Sequence, residues 1–270
     1  MKDLTSITWI SLGAAAFLCS ALRLTAQATA VPTEVSPLDK PKQKTYVNSL
    51  GMKFVEVPGT EVMFCIWETR KQDYKAFWNA ELRVEFRPIS WSNTDFVQDD
   101  SHPVVNVSWY DAKEFCDWLS LKEGRTYRLP TDAEWSVAVA VGPESGSTPK
   151  ERNNKRQGVY PWGTQWPPPN DAGNYADYGS EKIPGFRDGH EYTAPVGSFR
   201  ANKLGLFDLG GNVSEWCEDL FDAEWEEHVV RGGSWDSHSP GSALSSRRLP
   251  YMPDRRYSWN GFRVVLVVGD

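Results

Sequence analysis

Three neighbouring side chains late in the sequence carry the groups of a hydrolytic triad. Asp236, Ser237 and His238 supply a carboxylate, a hydroxyl and an imidazole. In such a triad, distant segments of the fold hold the nucleophile, its base and the residue that orients the base in one line. Three consecutive side chains do not meet that geometry. The segment is therefore interpreted as an ordinary polar loop.

The spacing of the histidines does not predict a metal centre. The chain has four, at positions 102, 190, 228 and 238. None of them forms the pair, four residues apart on a helix, that metalloenzymes use. His102 precedes Pro103 and is interpreted as a turn residue, so no histidine-based iron or zinc site is expected.

Two arginine pairs, Arg247–Arg248 and Arg255–Arg256, lie late in the chain. A guanidinium can hold a carboxylate or a sulfate group through two parallel hydrogen bonds. The competing interpretation is that these are surface arginines that balance the protein's own acidic residues. Both interpretations stay open, and all four arginines are candidates for a ligand groove.

The N-terminal residues have the pattern of an export signal. Lys2 is followed by an apolar run from Ile10 to Leu22, which Arg23 ends, and alanines follow at positions 26, 28 and 30. This order is typical of a secretory signal with an Ala-x-Ala cleavage site. The run is shorter than the roughly 20 residues of a spanning helix. We predict a secreted or periplasmic protein that would meet a membrane only through an uncleaved N-terminal segment.

A linker and then a single domain are predicted after the signal peptide of residues 1–30. Residues 31–45 contain three prolines and no hydrophobic periodicity, which is typical of a linker. Residues 46–270 are long enough for one well-buried domain. The net charge of −7 and the lack of a dense basic cluster argue against nucleic acid as a partner.

The composition predicts short elements joined by long loops. Thirteen tryptophans, eighteen prolines and twenty-one glycines suit a core lined by irregular segments. Strands are expected at Lys53–Val57, Val229–Arg231 and Phe262–Val268. The stretch between about Gly142 and Val230 is expected to be mostly loop, and bound cations are the candidates to hold it.

Three helices are predicted from capping and periodicity. The first begins at Thr69 with Gln72 completing a capping box, and the third is boxed by Thr131 and Glu134. The second runs from Ser108 to Gly124. The apolar faces are expected at Tyr74, Phe77 and Trp78 in the first helix, at Ala112, Phe115, Cys116 and Leu119 in the second, and at Trp135, Val137 and Ala138 in the third.

Three cysteines lie within the predicted domain, at Cys65, Cys116 and Cys217. In an oxidising compartment they allow one disulfide and one free thiol, or three buried thiols. The sequence leaves both arrangements open.

A series of short motifs spans residues 46–268. They are Asn48–Gly59, His102–Trp109, Tyr127–Trp135, Tyr160–Gly163, Gly173-Asn174, Ala194–Gly197, Gly205–Trp216, Arg231–Trp235 and Gly261–Arg263. Their order and content resemble the sulfatase-modifying-factor, or formylglycine-generating, domain family. The resemblance implies an α+β, C-type-lectin-like fold that is loop-rich and stabilised by calcium. In active members it implies O2-dependent oxidation of a sulfatase cysteine to formylglycine at a copper ion held by two cysteines.

The resemblance also implies two structural calcium sites. The first would use Asn174, the carbonyl of Tyr175, Asp188 and the carbonyl of His190, and the second would use Asp208, the carbonyls of Gly211 and Val213, and Glu215. All of these are oxygen ligands, which calcium prefers. The competing interpretation is that Asp208 caps a turn and that Glu215 pairs with a base.

The residues that would carry the oxidative chemistry are replaced. Counted from the Arg-Gly-Gly-Ser motif, Ser237 and Ser242 stand at the two cysteine positions, and no cysteine lies beyond Cys217. A serine hydroxyl is a poor ligand for Cu(I) and forms no thiolate. Ser214 stands where the family has a tryptophan, whereas Ser234 of the motif is kept. Copper is therefore not expected.

The sequence predicts an exported, non-catalytic or divergent binding module with structural calcium. Its ligand would be an exported protein, a peptide or a glycan, held in a groove that includes Ser234 and the four late arginines. The alternative is an oxidoreductase that converts a sulfatase cysteine to formylglycine. A third possibility is an accessory domain that docks on another enzyme.

Overall fold

The computed structural model describes residues 43–80, 90–176 and 182–269. The predicted signal peptide and most of the predicted linker lie outside these residues. No helix in the described ranges has both the length and the apolar character needed to cross a membrane.

Two small sheets form the frame of the domain. The strands are β1 (Thr45–Val47), β2 (Lys53–Glu56), β3 (Val62–Cys65), β4 (Tyr127–Arg128), β5 (Ser214–Asp222), β6 (Glu227–Arg231), β7 (Arg248–Tyr251), β8 (Asn260–Phe262) and β9 (Val265–Val267). The first sheet has the order β1-β2-β3-β9-β4, and the second has the order β7-β6-β5-β8. All neighbours are antiparallel except β5 and β8, which are parallel.

The register of the second sheet brings three sequence motifs together. Glu215 on β5 lies opposite Arg231 on β6 and opposite Gly261 on β8. The sequence prediction of one strand over Phe262–Val268 is corrected, since β8 ends at Phe262 and β9 begins at Val265. The break lets the chain cross from the second sheet to the first. β5 itself was missed, because it falls in the stretch expected to be mostly loop.

In the described part of the chain, four α-helices pack against the sheets: α1 (Lys71–Ala80), α2 (Trp109–Glu123), α3 (Asp132–Ala138) and α4 (Pro149–Arg152). The predicted start of α2 at Ser108 and the capping box predicted at Thr131 for α3 are confirmed, and Ser108 also forms a capping box with Asp111. Gly124 ends α2 with a φ of 63°, a left-handed conformation that glycine adopts without a steric penalty.

The prediction for the start of α1 is wrong. The Asp73 carboxylate accepts the backbone N–H of Arg70 at 3.1 Å, and the Thr69 hydroxyl is buried without a partner. The aspartate also binds the Arg70 guanidinium at 2.9 Å, a charge-assisted contact that the threonine cannot make. In α3, Val137 is 39% exposed, so it does not belong to the predicted apolar face.

The buried core confirms the apolar face of α2 and answers the question of the cysteines. Ala112, Phe115, Cys116 and Leu119 are all fully buried, and Phe115 packs on Tyr74 of α1 with ring centroids 5.9 Å apart. Cys65, Cys116 and Cys217 are free, buried thiols. Burial raises the pKa of all three thiols, that of Cys65 to about 12. They are therefore inert at neutral pH.

One arginine connects both sheets and the long loop, by which we mean the described residues 153–176 and 182–213 between α4 and β5. Arg263 lies between β8 and β9, and its side chain is fully buried. It donates to the Cys65 carbonyl on β3 at 3.0 Å and to the Phe207 carbonyl in the loop at 2.8 Å. It also donates to both carboxylate oxygens of Glu215 on β5, at 2.8 to 3.2 Å. These bonds satisfy the buried charge.

A second buried network attaches α3 to the second sheet. Asp132, at the start of α3, accepts hydrogen bonds from Arg231 on β6 and from Arg248 on β7. Glu144 accepts from Arg248 at 2.6 and 2.8 Å. Burial alone would raise the pKa of Asp132, but the guanidinium groups of Arg231, Arg248 and Arg152 hold that pKa below its usual value.

We expect Asp132→Ala to destabilise the domain by about 3–5 kcal/mol, because it leaves Arg231 and part of Arg248 buried without their shared carboxylate. Urea denaturation followed by tryptophan fluorescence measures this loss. The matched control is Asp171→Ala, which removes an exposed carboxylate that faces Arg200 at 3.5 Å and is expected to cost less than about 1 kcal/mol. Equal losses in the two variants would show that the network is not needed for stability.

Candidate functional site

A pocket of about 240 Å³ lies where the sequence analysis placed the missing cysteines. We call it the serine pocket, because four serines line it. β5, the loop after β6, a short 3-10 helix over Pro240–Ala243, β7 and the loop before β8 all contribute to its walls. The lining residues are Ser214, Ser234, Asp236, Ser237, His238, Ser242, Arg247, Leu249, Tyr251 and Trp259.

The glycines of the Arg-Gly-Gly-Ser motif allow the backbone to pass close to its neighbours here. A Cβ added at Gly233 would lie 2.9 Å from the Gly210 carbonyl oxygen and 3.0 Å from the Ser237 hydroxyl. Gly232 has a φ of 79°, which disfavours any other residue. The Gly233 N–H donates to the Gly210 carbonyl at 3.0 Å. Local sterics therefore fix the loop that carries Ser234 and Ser237.

The serines in this pocket are not arranged as nucleophiles. The Ser237 hydroxyl accepts the Ser234 amide at 3.0 Å, and the Ser242 hydroxyl donates to the Ser239 carbonyl at 2.8 Å. His238 faces the backbone carbonyl of Asp236 at 3.0 Å and makes no hydrogen bond to Ser237. No described imidazole is therefore bonded to a serine as its base, as expected for a polar loop.

Copper does not fit the serine pocket. Cu(I) requires soft thiolate ligands, whereas Ser237 and Ser242 offer hard hydroxyl oxygens. The three cysteines of the described chain are buried in the core as thiols of raised pKa. We derive no oxidative step from this pocket.

Arg247 is the one late arginine that lines the serine pocket. Its Nη1 donates to the Ser242 carbonyl at 3.0 Å, and no carboxylate of the described residues lies within ion-pair distance of it. Burial lowers the pKa of its guanidinium, as expected for a charge with no counterion.

The other three arginines have different places, and the groove prediction is corrected for them. Arg248 is fully buried in the Asp132 network. Arg256 binds both carboxylate oxygens of Asp111 at 2.8 and 3.0 Å. Arg255 is exposed and lies 3.9 Å from Asp254. None of the three lines the serine pocket.

The first predicted calcium site is brought together by the long loop. The Asp188 carboxylate accepts the Tyr175 amide at 2.7 Å and the His190 amide at 2.9 Å. Asn174 is fully buried, and its side-chain oxygen has no hydrogen-bond partner. A buried amide oxygen without a partner, and a carboxylate that is bonded to the amide of the next residue along the chain, are oxygen donors of the kind that calcium takes, so the residues present fit this ion.

The second predicted site fits calcium less well. One oxygen of the Asp208 carboxylate accepts the Gly197 amide at 2.7 Å, while the other is buried without a partner. The Glu215 carboxylate is held by Arg263 and accepts the Trp135 indole N–H at 2.9 Å. Glu215 thus pairs with a base, as the competing interpretation proposed. A calcium ion here would have to share this carboxylate with Arg263.

A third buried carboxylate, that of Glu68, was missed by the sequence analysis. It accepts the Asn212 amide group at 2.7 Å and the Val213 N–H at 3.1 Å. Burial raises its pKa well above the usual value, and the neighbouring Asp208 and Glu215 add to the effect. Burial likewise raises the pKa of Asp208 to about 6. The available signal was a lone glutamate at the end of an apolar run that begins at Val62.

The histidine side chains have different surroundings. His102 contacts the Thr193 hydroxyl at 3.0 Å, and His228 stacks on Trp109 with ring centroids 3.9 Å apart. Across the described ranges, no group of three or more His, Cys, Asp or Glu side chains could hold a metal ion.

A larger cavity of about 600 Å³ lies beside the long loop. Its walls include Tyr160, Trp162 and Leu206, with Arg200 and Lys203 also lining it. It shares only Asp208 with the predicted site residues. The serine pocket is smaller, but it contains the two positions, Ser237 and Ser242, where the chemistry of the family is expected.

Comparison with known proteins agrees with the fold. The solved structure of PvdO from Pseudomonas aeruginosa is 20% identical, with a TM-score of 0.62, and covers 85% of this chain and all of its own. The crystal structure of CarF is 24% identical, with a TM-score of 0.57, and covers 79% of this chain and 89% of its own. Both show the formylglycine-generating-enzyme-like, α+β fold.

Relatives of two kinds match the sequence at similar identity. The "Inactive C-alpha-formylglycine-generating enzyme 2" of Bos taurus is 30% identical over 72% of this chain, and the match spans 60% of that protein's length. The same-named Mus musculus protein is 33% identical over 84% of this chain and 69% of its own. The "Formylglycine-generating enzyme" of Thermomonospora curvata is 31% identical over 76% of this chain and 67% of its own.

The overall identity therefore does not separate active from inactive relatives, and the residues of the pocket must do so. The family model described as "Sulfatase-modifying factor enzyme 1-like domain" matches residues 18–268 of this chain. This match covers the whole described fold and every motif of the sequence analysis. The chain belongs to the FGE-sulfatase family.

Proposed function

We propose that this protein is an exported, non-catalytic member of its family that binds a ligand in the serine pocket. The observation that carries the proposal is the pair of hydroxyl side chains, Ser237 and Ser242, where a copper-dependent oxidation needs two thiolates. The relatives named as inactive support a divergent, non-catalytic member. The relatives named as formylglycine-generating enzymes keep oxidation of a sulfatase cysteine as the alternative.

We expect no oxidation of a cysteine-containing sulfatase-motif peptide by the purified protein with O2, reductant and copper. The thiolates that would bind Cu(I) and react are absent. Mass spectrometry of the peptide measures the aldehyde product, with an active family member as the positive control. An aldehyde that disappears when the protein is heat-killed would overturn the proposal.

The double variant Ser237→Cys/Ser242→Cys tests whether the absence of two thiolates is the reason that the pocket does not bind copper. We expect it to bind Cu(I) against a competing chelator, because two thiolates then face one pocket, while the unchanged protein does not bind. The single variants are the controls, since one thiolate gives a weaker site. Tight Cu(I) binding by the unchanged protein would contradict the assignment.

We further propose that calcium stabilises the long loop at Asn174 and Asp188. The support is the buried Asn174 oxygen without a partner, together with the Asp188 carboxylate, which binds the backbone amides of Tyr175 and His190. The site at Asp208 and Glu215 stays a prediction.

Calcium at about 100 times its dissociation constant should stabilise the fold by about 2.7 kcal/mol. For a domain of this size the melting temperature then rises by roughly 5–10 °C. Thermal melts in calcium and in chelator measure the shift, and Asp188→Ala should abolish it. The control Asp171→Ala should keep the shift, and an unchanged melt in calcium and in chelator would exclude a stabilising site.

Export is proposed from the N-terminal sequence pattern. We expect the protein purified from the periplasm or medium of its host to begin shortly after Ala28 or Ala30, because an Ala-x-Ala site precedes the linker. N-terminal sequencing measures this. A chain that keeps Met1 and stays inside the cell would contradict it.

A further inference from the structure

The guanidinium of Arg247 gives the serine pocket a positive charge without a counterion. The described residues place no carboxylate within ion-pair distance of it. Asp236 also lines the pocket, but its carboxylate is bound by Lys182 at 2.8 Å. Arg247 is half-buried and held by the Ser242 carbonyl, so its position is fixed. A charged group that is fixed, partly desolvated and unpaired suits an anionic ligand.

Hydroxyl groups beside the arginine provide further donors. The Ser237 oxygen accepts the Ser234 amide, and no described residue accepts the Ser237 hydroxyl proton. The Ser234 hydroxyl accepts the Asp236 amide at 3.4 Å and likewise has a proton to donate. Both serines are buried, so a ligand oxygen is the natural acceptor for these protons.

One wall of the serine pocket is aromatic. Trp259 and Tyr251 line it, and Tyr257 stacks on Trp259 with ring centroids 4.8 Å apart and an angle of 15° between the planes. The Trp259 indole N–H points to the Tyr251 hydroxyl at 3.5 Å. The stack holds the indole in place, and its flat apolar face can pack on the C–H face of a sugar ring.

The size of the pocket limits the ligand to a single unit. Pockets for drug-sized molecules measure roughly 300–1,000 Å³, whereas this one measures about 240 Å³. Part of the pocket volume is open because Ser214, which lines the wall, has a small, buried side chain. A tryptophan at this position would fill much of that space. One ring with one acidic group is of a size that fits, and any longer ligand would have to extend out of the pocket into solvent.

We propose that the serine pocket binds one acidic sugar unit, with its sulfate or carboxylate group on Arg247 and its ring on Trp259. This inference rests on the proposed function and names the ligand class of the same site. Ser234 and Ser237 donate to the acidic group. The sugar can be free or the end of a longer glycan, because the pocket opens to solvent.

The test is calorimetric titration of the full chain with five probes. They are glucuronate, glucose 6-sulfate, glucose, inorganic sulfate and N-acetyl-glutamate amide, the last standing for an acidic peptide. We expect the two acidic sugars to bind with dissociation constants of about 1 mM or below, and the other three probes to bind at least about tenfold more weakly.

Variants separate the two contacts. Arg247→Met should weaken the acidic sugars roughly 10- to 100-fold, as expected for lost hydrogen bonds to a charged group, and Arg247→Lys should weaken them less. Trp259→Leu should weaken the sugars but leave inorganic sulfate unchanged. Arg255→Met, which removes an exposed arginine outside the pocket, is the matched control and should bind as the unchanged protein does. Melting curves check that each variant is folded.

Several outcomes would overturn the inference. If glucose and glucose 6-sulfate bound equally well, Arg247 would not recognise an acidic group. If inorganic sulfate and glucose 6-sulfate bound equally well, the sugar ring would make no contribution to binding. Tightest binding of the glutamate probe with loss in Arg247→Met would keep a ligand-binding pocket and replace the sugar by a peptide. Formation of aldehyde in the separate peptide assay, by contrast, would overturn the proposed function itself.

Discussion

The fold depends on how one buried guanidinium is satisfied. Arg263 lies at the point where the chain crosses from the second sheet to the first, and it binds a strand of each sheet and a carbonyl of the long loop. A buried charge left without partners costs several kcal/mol. The two sheets and the loop can therefore adopt only an arrangement that brings Glu215, Cys65 and Phe207 to this side chain together.

The same constraint explains why so much irregular chain can be part of one domain. Around Arg263, the buried carboxylates of Glu68, Asp208 and Glu215 outnumber the guanidinium, and burial raises the pKa of Glu68 and Asp208. Asn212 connects this region to the loop, since it binds Glu68 and the amide groups of Asn174 and Ala194. Polar contacts at fixed positions replace the regular hydrogen-bond ladders that the loop lacks.

The sequence predicted those parts of the structure that depend on local chemistry. The start of α2 at Ser108, the capping box at Thr131 and the apolar face of α2 follow from side chains three or four residues apart. The start of α1 was predicted wrongly because Asp73 accepts the backbone N–H of Arg70 and also binds the Arg70 guanidinium. β5 was missed because its residues form a strand only through pairing with β6 and β8, which are distant in sequence. The role of Arg248 could not be predicted either, since its partners Asp132 and Glu144 lie more than a hundred residues away.

In the candidate site, the residues that fix the backbone are different from the residues whose side chains face the pocket. Gly232, Gly233 and Gly210 fix the backbone around the serine pocket through close contacts that no larger residue allows. The hydroxyl groups of Ser237 and Ser242 do not hold the backbone in this way. They make only short-range hydrogen bonds, to residues three positions away in the chain. Exchanging a thiol for a hydroxyl there removes the capacity for copper chemistry while the surrounding glycines keep the pocket in shape. A retained frame with altered lining residues is expected to change its ligand before it changes its fold, so in this protein identity to a relative is a weaker guide to function than the residues around Arg247.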